Sequence, residues 1–187
     1  MVSPTRDRIV EAAVALTTES GWSAVTMAAI ADRVGVSRQT VYNEVGSKEG
    51  LAEAMILREL ARFLAVVESA FDEHSQDLVE AIRAATYGVL ELAQDNKLLH
   101  AVVSATHGAD TELLPLLTTH AEPLLAAAKV VVAERVAPYR TGLQADRLEV
   151  AIDVVVRVVL SHVMQPSGPP AEAADGIAWL AGRALRP

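Results

Sequence analysis

Thr26-Met27-Ala28-Ala29-Ile30-Ala31-Asp32-Arg33-Val34-Gly35-Val36-Ser37-Arg38-Gln39-Thr40-Val41-Tyr42-Asn43-Glu44-Val45 decides how this chain folds. The stretch contains two short apolar-periodic segments, each preceded by a hydroxyl residue. Thr26 precedes Met27, Ile30, Ala31 and Val34, and Ser37 precedes Val41 and Val45. A hydroxyl at such a position accepts from backbone N–H groups that the start of a helix leaves unpaired. Gly35 lies between the segments, where a tight reversal calls for a left-handed backbone. Two short helices joined by such a turn form a helix-turn-helix. Val41 and Val45 lie four apart and face inward, which leaves Arg38, Gln39, Thr40, Tyr42 and Asn43 for the outer side. Arginine and glutamine can each bond a base edge twice in the major groove. The hydroxyls of Thr40 and Tyr42 can donate to phosphates.

The reading extends outward in both directions. A first helix is expected over about 5–19, with Ile9, Ala12, Ala13 and Leu16 on one face and Gly21 as its stop. Gly46 ends the second helix of the motif. Ser47 then caps a long helix beginning at Lys48, which brings both a cation and a helix N-terminus to any nearby phosphate. Further helices are expected over about 76–94, 98–106, 111–136 (bent near Pro115 and Pro123), 144–164 and 171–185, with 165–170 as the clearest linker. The expected fold class is all-α: a three-helix helix-turn-helix DNA-binding module over 1–47 and a second helical domain over 48–187.

Composition narrows the function. A chain of 187 residues that is 51% hydrophobic and 21% charged buries a core and is not disordered. It has no cysteine, hence no disulfide framework, thiolate metal site or cysteine nucleophile. The first residues have no apolar core, so no signal peptide is expected. No charge-free apolar run approaches the ~20 residues of a membrane span. The expectation is a cytoplasmic protein without membrane association. The net charge of -8 is uneven: residues 1–50 hold five basic and six acidic side chains, and the remainder eleven and eighteen. A nearly neutral DNA-reading module on an acidic body has this distribution.

The segment from Ile30 to Tyr42 resembles the N-terminal signature of the TetR family of bacterial transcriptional regulators. So do Ile9 to Leu16, Gly21, Thr26 and Ser47-Lys48-Glu49-Gly50-Leu51 around it. With the two caps, the expected DNA-binding set is Thr26, Ser37, Arg38, Gln39, Thr40, Tyr42, Asn43 and Lys48. The family usually has an aromatic three residues after the tyrosine. Here that position is Val45, expected to pack with less volume, preceded by Glu44, expected to face solvent. Arg6 and Arg8 read as exposed N-terminal charges, with a DNA backbone or minor-groove contact as the alternative. The resemblance implies a homodimer that binds a palindromic operator, with 48–187 as a variable helical effector-binding and dimerisation domain.

The rest of the chain is read for that ligand and for the dimer. On 144–164, Glu149, Asp153, Arg157 and Ser161 form one narrow polar stripe and the other faces are aliphatic. So much apolar surface implies burial on most sides. The resemblance assigns this helix and the last one to a four-helix bundle with a second subunit, through Val155, Ile177, Leu180, Ala181 and Ala184, with Gly176 and Gly182 permitting close approach. The candidate ligand-binding residues are Phe71, Tyr87, Val102, Thr106, His107, Leu117, His120, Val159 and His162. Leucine, valine and alanine outnumber aromatics, which suits a small lipophilic effector such as a long-chain fatty acid or a derivative. The histidines lack metal-ligand spacing, so neither metal nor cofactor is expected. No nucleophile elbow, P-loop, dinucleotide fingerprint or zinc helix is present, so no enzyme activity is expected. The competing readings are a helical adaptor without DNA binding and a multidrug-responsive regulator that takes aromatic cations.

Overall fold

The computed structural model describes residues 3–104, 112–118 and 121–185, and no strand occurs among them. In chain order the elements are α1 (Pro4–Ser20), a single 3-10 turn (Trp22–Ala24), α2 (Met27–Val34), α3 (Arg38–Val45), α4 (Lys48–Glu73), α5 (Leu78–Gln94), α6 (Lys97–Ser104), α7 (Leu114–Leu117), α8 (Glu122–Val136), α9 (Ala145–Met164) and α10 (Pro170–Ala184). They form two compact units. The first comprises Met1–Leu60 and Asn96–Ala121, the second Ala61–Asp95 and Glu122–Pro187.

The helix starts are set by the side chains that the sequence supplies there. Thr26 Oγ1 accepts from the Ala29 amide at 3.1 Å, Ser37 Oγ from Thr40 at 3.0 Å and Ser47 Oγ from Gly50 at 3.1 Å. Each such cap contributes about 1 kcal/mol. Asp77 does the same for α5, accepting from Val79 and Glu80, which moves the start of that helix to Leu78. Gly35 ends α2 in the left-handed region, at φ 76°.

The expected single helix over 111–136 is not formed. Pro115 and Pro123 stand in the first turns of α7 and α8, where a missing amide hydrogen costs nothing. Each proline therefore opens a helix instead of bending one. By length and hydropathy alone, Leu114–Val136 would suffice to cross a membrane. The described residues interrupt it at Thr118, and they tie Lys129 to Asp153 and Arg135 to Asp72 and Glu68.

The first unit is built on Ile9, Ala13, Trp22, Val25, Ile30, Val41, Leu51 and Met55, all buried. Leu98 and Val102 of α6, together with Leu113, complete that core. Arg8 is exposed as expected and Arg6 is half-buried, and both are bonded within the first unit. The Arg6 guanidinium donates to the carbonyl of Glu44, and Arg8 donates to the carbonyl of Val34 at 2.6 Å. Both acceptors lie in last turns, where carbonyls lack intrahelical partners and cations are favoured. Two arginines of α1 thus fasten the C-terminal ends of α2 and α3. Glu44 is half-buried rather than turned to solvent, and its carboxylate accepts from Ser3 at 3.2 Å.

In the second unit α5 packs along α10, and α8 packs on α9. Gly182 lets α10 approach α5, because a Cβ there would meet Val79 at 3.2 Å. Phe71, Ile82, Ala85, Val136, Ile177 and Ala181 form the core. Tyr139 stands edge-on to Phe71, and its hydroxyl donates toward the carbonyls of His74 (3.0 Å) and Phe71 (3.3 Å), closing the last turn of α4. Burial raises the Tyr139 phenol above its ordinary pKa, and Asp72 and Asp77 add to the rise. Asp153 is bonded by Arg157 and Lys129, which hold its carboxyl below the usual range.

Candidate nucleic-acid interface

Helix α3 buries Val41 and Val45 and exposes Arg38, Gln39, Tyr42 and Asn43. The split follows from the four-residue spacing of the valines, which places both on one face. Among the described residues nothing bonds the Arg38 guanidinium or the Tyr42 hydroxyl. Thr40 is half-buried, and its hydroxyl shares a 2.9 Å hydrogen bond with Ser37. Gln39 Nε2 donates to Asn43 Oδ1 at 3.0 Å. Thr26 and Ser37 are exposed and act as caps, as the sequence reading expected of them.

Lys48 differs from an ordinary surface lysine. Its ammonium lies 4.7 Å from the centroid of the Trp22 ring and donates to the Trp22 carbonyl at 3.3 Å. Trp22 is itself 2% exposed, and its indole N–H donates to Glu112 at 2.9 Å. The cation is therefore held in place at the start of α4, with hydrogens left for an acceptor. Beside it the Ser47 hydroxyl, with backbone bonding at the helix start, holds the Glu49 carboxyl below its ordinary value. Glu19 is likewise lowered by its paired hydrogen bonds from Arg33, which tie α1 to α2 at the surface. The sequence reading passed over both Trp22 and Glu112. A tryptophan directly after a helix-stopping glycine marks the first as a core anchor. Nothing local marks Glu112, which lies ninety residues away.

An exposed, unspent Arg–Gln–Tyr–Asn face on a capped second helix, with a fixed cation at the next helix start, can meet base edges and phosphates together. Known proteins with this arrangement are regulators. Residues 9–55 match the model of bacterial regulatory proteins of the tetR family, and residues 77–183 match that of the bacterial Tetracyclin repressor C-terminal domain. The chain belongs to the TetR family. It is a TetR-family transcriptional regulator with a helix-turn-helix and a C-terminal ligand-binding domain. Among its TetR relatives is the HTH-type transcriptional regulator AlkX of Mycobacterium tuberculosis, 30% identical over 162 residues, which cover 86% of this chain and 75% of that one. The crystal structure of the TetR family repressor AlkX from Dietzia sp., implicated in biodegradation of n-alkanes, superposes with a TM-score of 0.79 at 27% identity, covering 95% and 96% of the two chains. FadR of Thermus thermophilus, solved with lauroyl-CoA, shares the fold at a TM-score of 0.63 and 22% identity, with 96% and 94% covered.

The other candidate residues are distributed as follows. Val102 is 2% exposed inside the core of the first unit, and Leu117 packs against that core. They support the reading module. Phe71 and Val159 share the core of the second unit. Tyr87 is half-buried on α5 and donates to Glu91 at 2.6 Å, a bond that raises its phenol pKa. His162 meets Ser167 at 3.2 Å. Thr106, His107 and His120 lie outside the described residues.

The dimer set divides by exposure in the single chain. Ile177 and Ala181 are 6% and 4% exposed, covered by the chain's own helices in the second unit. Val155 is half-buried against the same core, while Leu180 and Ala184 are exposed. Gly182 packs on Val79, and Gly176 has open space where a Cβ would stand. Val150 and Val154 on α9 and Trp179 on α10 are exposed and were not singled out for an interface. Helical periodicity shows that a stripe is apolar. It does not show which neighbour covers it.

Proposed function

We propose that this regulator is a repressor that binds a palindromic operator as a homodimer and is released by a small lipophilic effector. One observation carries the DNA half: Arg38, Gln39, Tyr42 and Asn43 are exposed together on a helix whose other face is locked into a core. Arg38 and Gln39 read bases; Thr40, Tyr42 and Lys48 hold phosphates. Arg38→Ala is expected to weaken the best site by about 1–3 kcal/mol and to relax one base preference. Lys48→Ala is expected to weaken all sequences alike and to reduce the salt slope by about one unit per protomer. Fluorescence anisotropy on selected and random duplexes across a salt series measures both. Equal losses on operator and random DNA for Arg38→Ala would remove its base-reading role.

The effector is a chain of methylenes. The aliphatic side chains that predominate on α5, α8 and α9 support this, as does the likeness to a repressor implicated in n-alkane biodegradation. Each methylene buried contributes about 0.8 kcal/mol, so affinity is expected to rise about fourfold per carbon until the cavity is filled. A homologous series of fatty acids titrated into the protein–operator complex tests this. Val159→Trp is expected to weaken the longest chains first. Release by aromatic cations alone, or a flat response along the series, would overturn the lipid assignment and leave the DNA reading intact.

The dimer forms through Val150 and Val154 of α9 and Trp179, Leu180 and Ala184 of α10. Val150, Val154, Trp179 and Leu180 are between 46% and 62% exposed in the single chain. Soluble proteins seldom leave such a cluster uncovered.

A further inference from the structure

The Gln39–Asn43 hydrogen bond has a consequence for recognition. Both residues are exposed on α3, four apart and therefore on one face. Gln39 Nε2 donates to Asn43 Oδ1 at 3.0 Å. An amide nitrogen carries two hydrogens, and this bond uses one of them. Gln39 keeps its second hydrogen and its Oε1. These form the donor–acceptor pair that matches N7 and N6–H of adenine in the major groove. Turning both amides over exchanges donor and acceptor between Gln39 and Asn43 and keeps the bond, and Gln39 again retains a donor and an acceptor, so the pair fixes where the Gln39 amide stands.

We propose that Asn43 is a positioning residue for base reading: it holds the Gln39 amide at the place from which it selects an A·T pair in each half-site. This rests on the operator-binding reading above and adds to it a residue that sets specificity without touching the selected base. A lone surface glutamine samples many rotamers and both amide orientations, and loses that freedom on binding. Here the partner has already restricted it. Helix stability alone would be served by any i, i+4 pair and would predict no effect on a base preference.

The test is a selection from a randomised duplex pool by the full-length protein, with Gln39→Ala, Asn43→Ala and Asn43→Asp run in parallel. Gln39→Ala is expected to make one A·T position per half-site degenerate, losing about tenfold or more in preference. Asn43→Ala is expected to lose the same position. Asn43→Asp keeps an acceptor at that point and is expected to restore the preference, while its charge lowers affinity for all sequences. If Asn43→Ala retains the preference that Gln39→Ala loses, or loses a different position, the proposal is wrong. Failure of Asn43→Asp to restore it would also overturn it. A wild-type pool with no enriched sequence would count against operator binding, not against the pairing. The pairing is then read from the side-chain amide resonances of Gln39, where Asn43→Ala is expected to shift one of the two N–H protons. Unchanged resonances would overturn the proposal without any DNA.

Discussion

Leu180→Glu is expected to leave each protomer folded, to convert the proposed dimer to monomer, and to weaken binding to a palindromic duplex by about 10²–10⁴-fold. The reasoning starts from exposure. Leu180 and Trp179 are 52% and 62% exposed on α10, so a glutamate at 180 meets water in the isolated chain and costs it little. Buried against a second copy, the same carboxylate has no partner and is strongly unfavourable. A monomer retains one reading head. It loses the high effective concentration at which the second head meets the second half-site, and that accounts for the predicted range. Ala181→Glu makes the contrasting control. Ala181 is 4% exposed within the chain's own core, so its glutamate is expected to destabilise the protomer itself. Analytical ultracentrifugation, with circular dichroism to confirm folding, separates the two outcomes. An intact Leu180→Glu dimer would place the interface elsewhere.

The contrast between residues 180 and 181 shows where the sequence stops being informative. Caps and stops are local chemistry. Thr26, Ser37, Ser47, Gly21, Gly35 and Gly46 fix the ends of the DNA-binding helices through atoms within a few residues, and all six are legible without a structure. The outward face of α3 is legible for the same reason, because Val41 and Val45 leave little choice. Arg6 and Arg8 are different. Their guanidinium groups could meet phosphates or solvent, and only the packing of α1 shows that they close α2 and α3. Pro115 and Pro123 could bend one helix or open two. The difference lies in where each helix begins, which periodicity over 111–136 does not determine. Of the proposed ligand-binding residues, Val102 looked like cavity lining because it is apolar. In the structure it packs in the core of the first unit, a placement that its apolarity alone does not reveal.

Trp22→Ala is expected to be the most damaging single truncation in the first unit, lowering stability by about 3–5 kcal/mol. One hydrogen bond, one cation–π contact and a packing site meet at this side chain. The ring is buried in the core that carries Ile30 and Val41. Its N–H donates to Glu112 at 2.9 Å, and Lys48 lies over its face at 4.7 Å. Alanine removes the packed volume, leaves Glu112 without its donor and releases Lys48 from the ring. For a chain of this size each kcal/mol shifts Tm by about 2–4 °C, so a fall of roughly 6–20 °C is expected. Trp22→Phe separates the contributions. It keeps an aromatic face for Lys48 and most of the volume but cannot bond Glu112, so a loss of about 1–2 kcal/mol is expected. Glu112→Gln retains an acceptor oxygen and is expected to stay close to wild type. The chain has two tryptophans, Trp22 buried and Trp179 exposed, so Trp179→Phe leaves indole fluorescence as a reporter of Trp22 alone. In that background, quencher access to the remaining indole is expected to stay low until the melting transition. Because the released Lys48 is also a proposed phosphate contact, Trp22→Ala is further expected to weaken operator and random DNA alike, even well below its lowered Tm. A Tm within 2 °C of wild type would show that the ring is dispensable to the core. A Trp22→Phe protein as damaged as Trp22→Ala would assign the main contribution to the Glu112 bond instead of the packed ring.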